Sequence, residues 1–413
     1  MNNTIIYNIG NLYSPVGEFK RGKDMNNIFH LTNAFIVIEA NKIVCIGTDK
    51  FDKYKKSNTL LFNADGKTVV PGFIDSHTHL VFGGSREHEF SKKIQGVPYL
   101  DILKSGGGIL SSVEMTRASS FEELYDKSFT SLRELGSYGV TTIEAKSGYG
   151  LNKETELKQL DVVDKLNTDT PFTVIPTYLG AHAVPKDIDK EVYIKSLLSD
   201  MDDIAKTGKA KFVDIFCEDS VFNVEDSKRI LSYAKHLGLE IKIHADEIVS
   251  LGGAGLAVDL EAKSADHLMA ISDEDIIKIS NSNTVANLLP STSFYLNKAY
   301  APARKLIDSN AIVSLSSDFN PGSSPSENFM FMAQLGCIKL RMTPQEVLTA
   351  TTINAAYNLG LQKEIGSLEI GKNADIVIMD APNLEYIYYH YGIKHTEHIF
   401  KNGILIYSNK QYI

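Results

Sequence analysis

Between Thr68 and Gly360 the chain repeats one pattern that few folds accommodate: a short apolar run, then a segment with helical start and stop signals. The runs are TVVPGFID, GVTTIEA, FTVIPTY, KFVDIF, LEIKIH, KSADHL, NTVANLL and AIVSLSS. Strands buried on both faces read as such runs, and strands alternating with helices build a parallel sheet. Helix starts are marked by Ser120 with Glu123, Ser272 with Asp275, and Thr343-Pro344 with Glu346. SKRILSYAKHLG and SFTSLRELGSYG end on glycine, as a helix C-cap does. Eight such units predict an α/β fold, a (β/α)8 TIM-like barrel, for which about 250 residues suffice. The rival is a doubly wound open sheet, but no G-x-G-x-x-G or phosphate loop follows the first run.

Both ends of the chain differ from this middle. AFIVIEANKIVCIG is two β-branched runs around Glu39-Ala40-Asn41-Lys42, the pattern of a hairpin. GSLEIGKNADIVIMD and HIFKNGILIYS are short apolar runs separated by Gly-Lys-Asn and Lys-Asn-Gly turns. One small β-sandwich domain assembled from both termini is predicted, over 1–67 and 365–413, with the catalytic barrel over 68–364. A formal charge of −9 with both signs interspersed argues against nucleic acid or an anionic membrane as partner. The start MNNTIIYNIGNLYSP lacks a secretory pattern, and no apolar run reaches the length of a membrane span, so a cytoplasmic location is expected. Cys45, Cys217 and Cys337 lie far apart among apolar neighbours and read as buried thiols.

In a barrel of this kind, residues at the C-terminal strand ends face one pocket. Those ends carry His77-Thr78-His79, Glu144 to Tyr149, Gly180-Ala181-His182, His244 to Glu247, Asp266-His267 and Ser317 to Asn320. Five of the eleven histidines fall there, and scattered structural histidines would not cluster so. Residues i and i+2 on a strand point the same way, so His77 and His79 can grip one ion. A nitrogen of His244 and an oxygen of Asp318 complete a mononuclear site that leaves a position for water and suits one Zn2+ or Fe2+. Lys146 reads as a salt-bridged lysine rather than a carboxylated bridge between two metals. His30, His88, His236, His390, His395 and His398 read as surface residues.

A divalent ion lowers the pKa of bound water towards neutrality. Asp318 can take its proton and deliver it to a leaving nitrogen, and His267 can donate to a carbonyl oxygen or steady the water. That describes hydrolysis of a C–N bond at an sp2 carbon. Glu247 can bind ring N–H groups. Arg86 matches a substrate carboxylate through a bidentate pair; the alternative is a surface arginine pairing with Glu87 or Glu89.

PGFIDSHTHLVFGGSREHEF, IQGVPYLDILKSGGGILSSVEMTR, EAKSGYGL, TYLGAHAVP, DIFCEDSVF, HADE, SADHL, ARKLID and SSDFNPGSSP span nearly the whole chain. With them the sequence resembles the amidohydrolase superfamily and, within it, the imidazolonepropionase family. H-x-H after PGFID marks only the superfamily, whereas GGSRE, KSGYGL and LGAHAVP together are far more specific. HADE is shared with cytosine and guanine deaminases. The resemblance implies His77, His79, His244 and Asp318 as ligands of zinc or iron, and hydrolytic opening of 4-imidazolone-5-propanoate to N-formimidoyl-L-glutamate. It implies substrate contacts from Arg86, Tyr149 and His182, from Glu247 at a ring nitrogen, and from Asn320, Gly322 and Ser323, with Tyr99 towards the carboxylate end. His267 and Asp318 would support attack on the ring carbonyl, and a homodimer is implied. Two other readings compete: a purine or pyrimidine deaminase on the same scaffold, which would have no carboxylate for Arg86 and Tyr149 to clamp, and a non-catalytic descendant, which would have lost a ligand.

Overall fold

The computed structural model describes residues 3–48, 50–97, 107–409 and 411–412. Tyr99 lies outside these residues. Strands β1 (Asn3–Ser14), β2 (Phe29–Glu39), β3 (Lys42–Gly47), β4 (Thr59–Asn63) and β5 (Thr68–Pro71) precede the barrel. The barrel strands are β6 (Phe73–Asp75), β7 (Val140–Lys146), β8 (Thr173–Ala181), β9 (Phe212–Cys217), β10 (Glu240–Ile241), β11 (Ile243–Ala245), β12 (Ser264–His267), β13 (Val285–Leu288) and β14 (Ile312–Leu315). After it come β15 (Ile376–Met379), β16 (Thr396–Lys401), β17 (Ile404–Ser408) and β18 (Gln411–Tyr412).

The barrel is parallel throughout, in the order β14-β13-β12-β11-β9-β8-β7-β6, with β10 alongside β9 as the first half of the fifth strand. All eight runs read as barrel strands contribute to it. The ring closes just beyond its first and last strands, where Asp318 N donates to His77 O at 3.1 Å and His79 N donates to Phe319 O at 2.9 Å. The backbone that seals the barrel is therefore the backbone that carries three of the expected metal ligands. The helices between strands begin as the sequence indicates. Ser120 with Glu123 and Thr343 with Glu346 form reciprocal capping boxes, and the Ser272 side chain accepts from Asp275 N.

The run Thr68–Asp75 is not one strand but two. Gly72 N donates to Asp375 O at 2.9 Å, and Phe73 N then donates to Gly139 O at 3.0 Å, so the chain leaves one sheet and enters the other at Gly72. A Cβ at Gly72 would collide with Thr141 Oγ1, which is why the crossing needs glycine. β5 pairs with β1 and β15, joining the two ends of the chain into one sheet of nine strands among the described residues. β1 pairs on one side first with β4 and then with β5, and its register against β2 shifts between Ile6 and Ile9.

Alternation along these strands divides two cores. Ile376 and Ile378 pack with Ile6, Ile36 and Phe400 inside the terminal domain. Val377 and Met379 pack with Val70, Phe73 and Phe329 in the core shared with the barrel. The β2–β3 and β16–β17 hairpins form as read, the latter turning through Asn402 (φ 52) and Gly403 (φ 77), the geometry of a type I′ turn. The SLEI run is no strand: Leu368 is buried in the terminal core and Glu369 takes the N–H of Gly17. Two other expectations change. Cys217 is buried, but Cys45 and Cys337 are only half-buried. His395 is buried rather than on the surface, its ring nitrogens each 3.2 Å from a carbonyl oxygen, of Asp380 and His390. Among the described residues, no helix is long and apolar enough to cross a membrane.

Candidate metal centre and active site

His77 and His79 extend β6 into the pocket, and Asp318 extends β14. His77 Nε2 and His79 Nε2 each lie 3.5 Å from Asp318 Oδ1. His244, at the end of β11, stacks edge-on to His77 with ring centroids 4.6 Å apart. Ligand atoms of His77, His79 and Asp318 fall within 4.8 Å of one another, and so do those of His77, His244 and His267. His77 joins the two groups. His267, expected on the water side, is thus as close to His77 and His244 as a ligand would be.

Carboxylates stand behind two of these imidazoles. His77 Nδ1 is 2.5 Å from Asp266 Oδ2, and His244 Nδ1 is 3.0 Å from Asp214 Oδ2. The hydrogen bond to Asp266 selects the His77 tautomer that leaves Nε2 free for an ion, and Asp214 stands within ion-pair distance of His244 on the same side of its ring. Nε2 of both histidines is buried without a hydrogen-bond partner, a costly condition that a bound cation removes. Burial, then the nearby Lys146 charge, pushes the His77 pKa well down; burial and His182 do the same to His79. Neutral imidazoles are what a divalent ion needs. At His244 burial opposes protonation, but the Asp214 charge outweighs it and the pKa rises. Several nitrogens with one carboxylate oxygen form a donor set that fits a divalent metal ion.

Asp318 is held by backbone as well as side chain. It sits at φ 53, in the left-handed region, a strained setting typical of functional positions. Its Oδ2 accepts from the Thr292 hydroxyl, leaving Oδ1 towards the histidines. Burial raises its pKa to about 6, against the hydrogen bond from Thr292. Glu247 rises to about 8, through burial and then the Asp318 charge, and its Oε2 is 3.5 Å from His267 Nε2.

Tyr149 and His182 form one wall beside the cluster. His182 stacks on His79 at 4.9 Å with planes 15° apart, and Tyr149 is 5.3 Å from His182. His182 Nδ1 is 3.0 Å from Gly148 O. A carbonyl only accepts, so Nδ1 carries the proton and Nε2 is an acceptor. Burial and then His244 bring the His182 pKa down to about 3.

Arg86 is buried, not a surface residue. Its Nε and Nη2 nevertheless hold Glu89 as a bidentate pair, at 3.0 and 2.8 Å. Its Nη1 lies against Gly322, where any Cβ would collide with it. Asn320 Oδ1 accepts from Gly322 N and Ser323 N, both at 2.8 Å. The structure therefore brings Arg86 to the Asn320–Ser323 loop.

Below the cluster the barrel interior is charged. Lys146 Nζ is 2.8 Å from both Glu144 Oε1 and Asp214 Oδ2, and Lys242 Nζ donates to Ser76 O at 2.8 Å. Lys146 is the salt-bridged lysine expected. Asp214 and Thr292 are site residues that reading strand ends overlooked. The available signal was a charge inside an apolar run: Glu144 in VTTIEAK, Asp214 in FVDIFC and Lys242 in EIKIH. Such a residue must point into the barrel and find a partner there.

The sequence profile of the Amidohydrolase family matches residues 68–406. An imidazolonepropionase of Fusobacterium nucleatum is 51% identical over 408 residues, 98% of each chain. The chain belongs to the imidazolonepropionase family. Other imidazolonepropionases agree: that of Alkaliphilus metalliredigens is 48% identical over 95% of each chain, and that of Bacillus cereus 46% identical over 99% of this chain and 97% of its own. The match to imidazolonepropionases thus takes in the terminal sheet as well as the barrel. Among solved structures, a zinc-bound adenosine deaminase of Xanthomonas campestris superposes with TM-score 0.75 at 15% identity, covering 100% of this chain and 94% of its own. Atrazine chlorohydrolase TrzN of Arthrobacter aurescens, complexed with zinc, gives TM-score 0.72 at 15% identity over 99% of this chain and 96% of its own. At that distance the likeness is one of fold.

Proposed function

We propose that this enzyme opens the ring of 4-imidazolone-5-propanoate by hydrolysis, giving N-formimidoyl-L-glutamate in histidine degradation. The observation that carries the reading is identity of 46–51% with imidazolonepropionases over nearly the whole chain. The pocket geometry agrees, because a buried His/Asp cluster abuts the Tyr149–His182 wall. His77, His79, His244 and Asp318 hold one divalent ion, zinc or ferrous iron. When bound, that ion makes a water acidic enough to act as nucleophile near neutral pH. Asp318 accepts the proton of the attacking water and returns it to the departing ring nitrogen. His267 faces the ring carbonyl and Glu247 a ring nitrogen. His182, with a bare Nε2, accepts from a ring N–H and is not the carboxylate's partner. Arg86, its plane set by Glu89, faces the substrate carboxylate, and Asn320, Gly322 and Ser323 close that end.

The test is turnover of freshly prepared 4-imidazolone-5-propanoate, followed by ultraviolet absorbance, with native, chelator-stripped and metal-restored protein. Rapid loss that vanishes on stripping and returns with zinc or iron is expected. Loss no faster than the spontaneous reaction, with metal present, refutes the substrate.

A further inference from the structure

The loop Ser147–Leu151, which carries Tyr149, is wound on two buried side chains of the following helix, Lys153–Asp169. Glu156 and Gln159 lie one turn apart on that helix, 1% and 0% exposed. They collect four successive backbone N–H groups. Gly148 N donates to Glu156 Oε2, and Gly150 N and Leu151 N donate to Glu156 Oε1, each at 2.8 Å. Tyr149 N donates to Gln159 Oε1 at 3.3 Å, and Gln159 Nε2 donates to Val81 O at 2.7 Å.

The winding requires unusual backbone. Gly148 has φ 108 and Leu151 has φ 48, both left-handed and disfavoured for most side chains. A Cβ on Gly150 would sit 2.7 Å from Glu156 N, and one on Gly148 would sit 2.9 Å from His182 Nδ1. The two glycines of KSGYGL are there because the clamp and His182 approach so closely. The carbonyl side of the loop then reaches the pocket, since Gly148 O receives the His182 Nδ1 proton. One carboxylate thus controls where Tyr149 leaves the backbone and how His182 is turned.

We propose that Glu156 is a positioning residue for substrate affinity: it holds the Ser147–Leu151 loop so that Tyr149 and His182 form the substrate-facing wall. The inference rests on the reading that Tyr149 and His182 meet the substrate. An acid is needed because three N–H groups converge on two oxygens. An amide offers one acceptor oxygen, and its NH2 would face an N–H donor. Since Tyr149 of the loop meets the cluster by ring packing against His79 and His182, the clamp acts on KM more than on kcat or metal content.

The experiment compares metal-loaded wild type, Glu156→Gln, Tyr149→Phe and the double variant. It reads KM and kcat for 4-imidazolone-5-propanoate, bound metal, and hydrogen exchange at the amides of residues 148–151. The expected result for Glu156→Gln is lost amide protection and KM raised about tenfold, with kcat and metal content within about threefold of wild type. In the double variant KM should be no worse than in the poorer single variant, because both changes remove one contact. Retained protection with wild-type KM overturns the clamp. Lost protection with wild-type KM overturns instead the placing of Tyr149 and His182 on the substrate, and with it the proposal. If Glu156→Gln does not fold, Gln159→Leu carries the test: it frees the Tyr149 amide and the Val81 carbonyl while leaving the three Glu156 bonds, and it should raise KM with kcat unchanged; an unchanged KM then overturns the proposal.

Discussion

Asp318 does three things from one position: it seals the barrel through its N–H, faces His77 and His79 with Oδ1, and takes the Thr292 hydroxyl on Oδ2. Asp318→Asn keeps the shape but loses the proton acceptor and the anionic oxygen. Turnover should fall about a thousandfold or more, and near-wild-type activity in that variant would contradict the mechanism. Asp214 is a test of orientation. It lies 3.0 Å from His244 Nδ1 and 2.8 Å from Lys146 Nζ, with its pKa held well down by His244 and Lys146 in spite of burial. Asp214→Asn should weaken metal retention about 10–100-fold in a chelator competition. Unaltered retention would reduce Asp214 to a partner of Lys146. His77 has an equivalent support in Asp266, so the loss in Asp214→Asn should be partial.

At the scale of an element, Gly72 shows how one residue permits two sheets. The strand run TVVPGFID is continuous in hydropathy, yet its halves pair in different sheets. Gly72→Val would drive a branched side chain into Thr141; it should lower the unfolding free energy by about 1–3 kcal/mol, measured by denaturant titration. The segment after His79 is tied by Glu89, which receives Arg86 and the N–H of Gly108 at 2.7 Å and lies 3.3 Å from Lys93. Burial would raise its pKa, but the Arg86 and Gly108 hydrogen bonds prevail and bring it to about 2 from the usual 4.5. The folded value is depressed, so the stabilisation is complete above about 4.5 and is lost as pH falls from there towards about 2. The melting-temperature gap between wild type and Glu89→Gln should therefore be widest above pH 4.5 and narrow below it. A gap that stays constant through that window would mean that Glu89 contributes packing alone.

For the whole molecule, the expected ligands lie on the first, fifth and last barrel strands, and two of those meet at the seam. A divalent ion bound there binds the folded chain far better than the unfolded one. At free metal one hundred times its dissociation constant, it should add about 2.7 kcal/mol of stability. Calorimetry of stripped and reloaded protein should show a lower melting temperature without metal, restored on addition. A melting temperature indifferent to metal would mean that the cluster does not hold an ion in the folded protein. The terminal sheet is coupled to the same structure. Lys401 pairs with Asp375 at 2.7 Å and reaches Thr142 of β7 at 3.3 Å, and Val377 and Ile399 enter the barrel core.

The linear sequence determined what depends on neighbours along the chain. The eight apolar runs, the capping boxes at Ser120 and Thr343, the Asn402-Gly403 turn and the paired aim of His77 and His79 follow from periods and local hydrogen bonds. Strand ends gather in one place in a parallel barrel, so most candidate site residues could be read as well. What needed tertiary structure were choices between partners distant in sequence. Arg86 could have faced solvent with Glu87; burial and the approach of Gly322 paired it with Glu89 and turned its other edge to the Asn320 loop. SLEI could have been a strand, but Leu368 had a core to fill and Glu369 had the amide of Gly17 to bind. Thr292 carries no local mark of its role, because it is defined by the Asp318 carboxylate that the barrel brings within reach, and Asp214 showed only as a charge inside an apolar run, its partner His244 coming from the neighbouring strand.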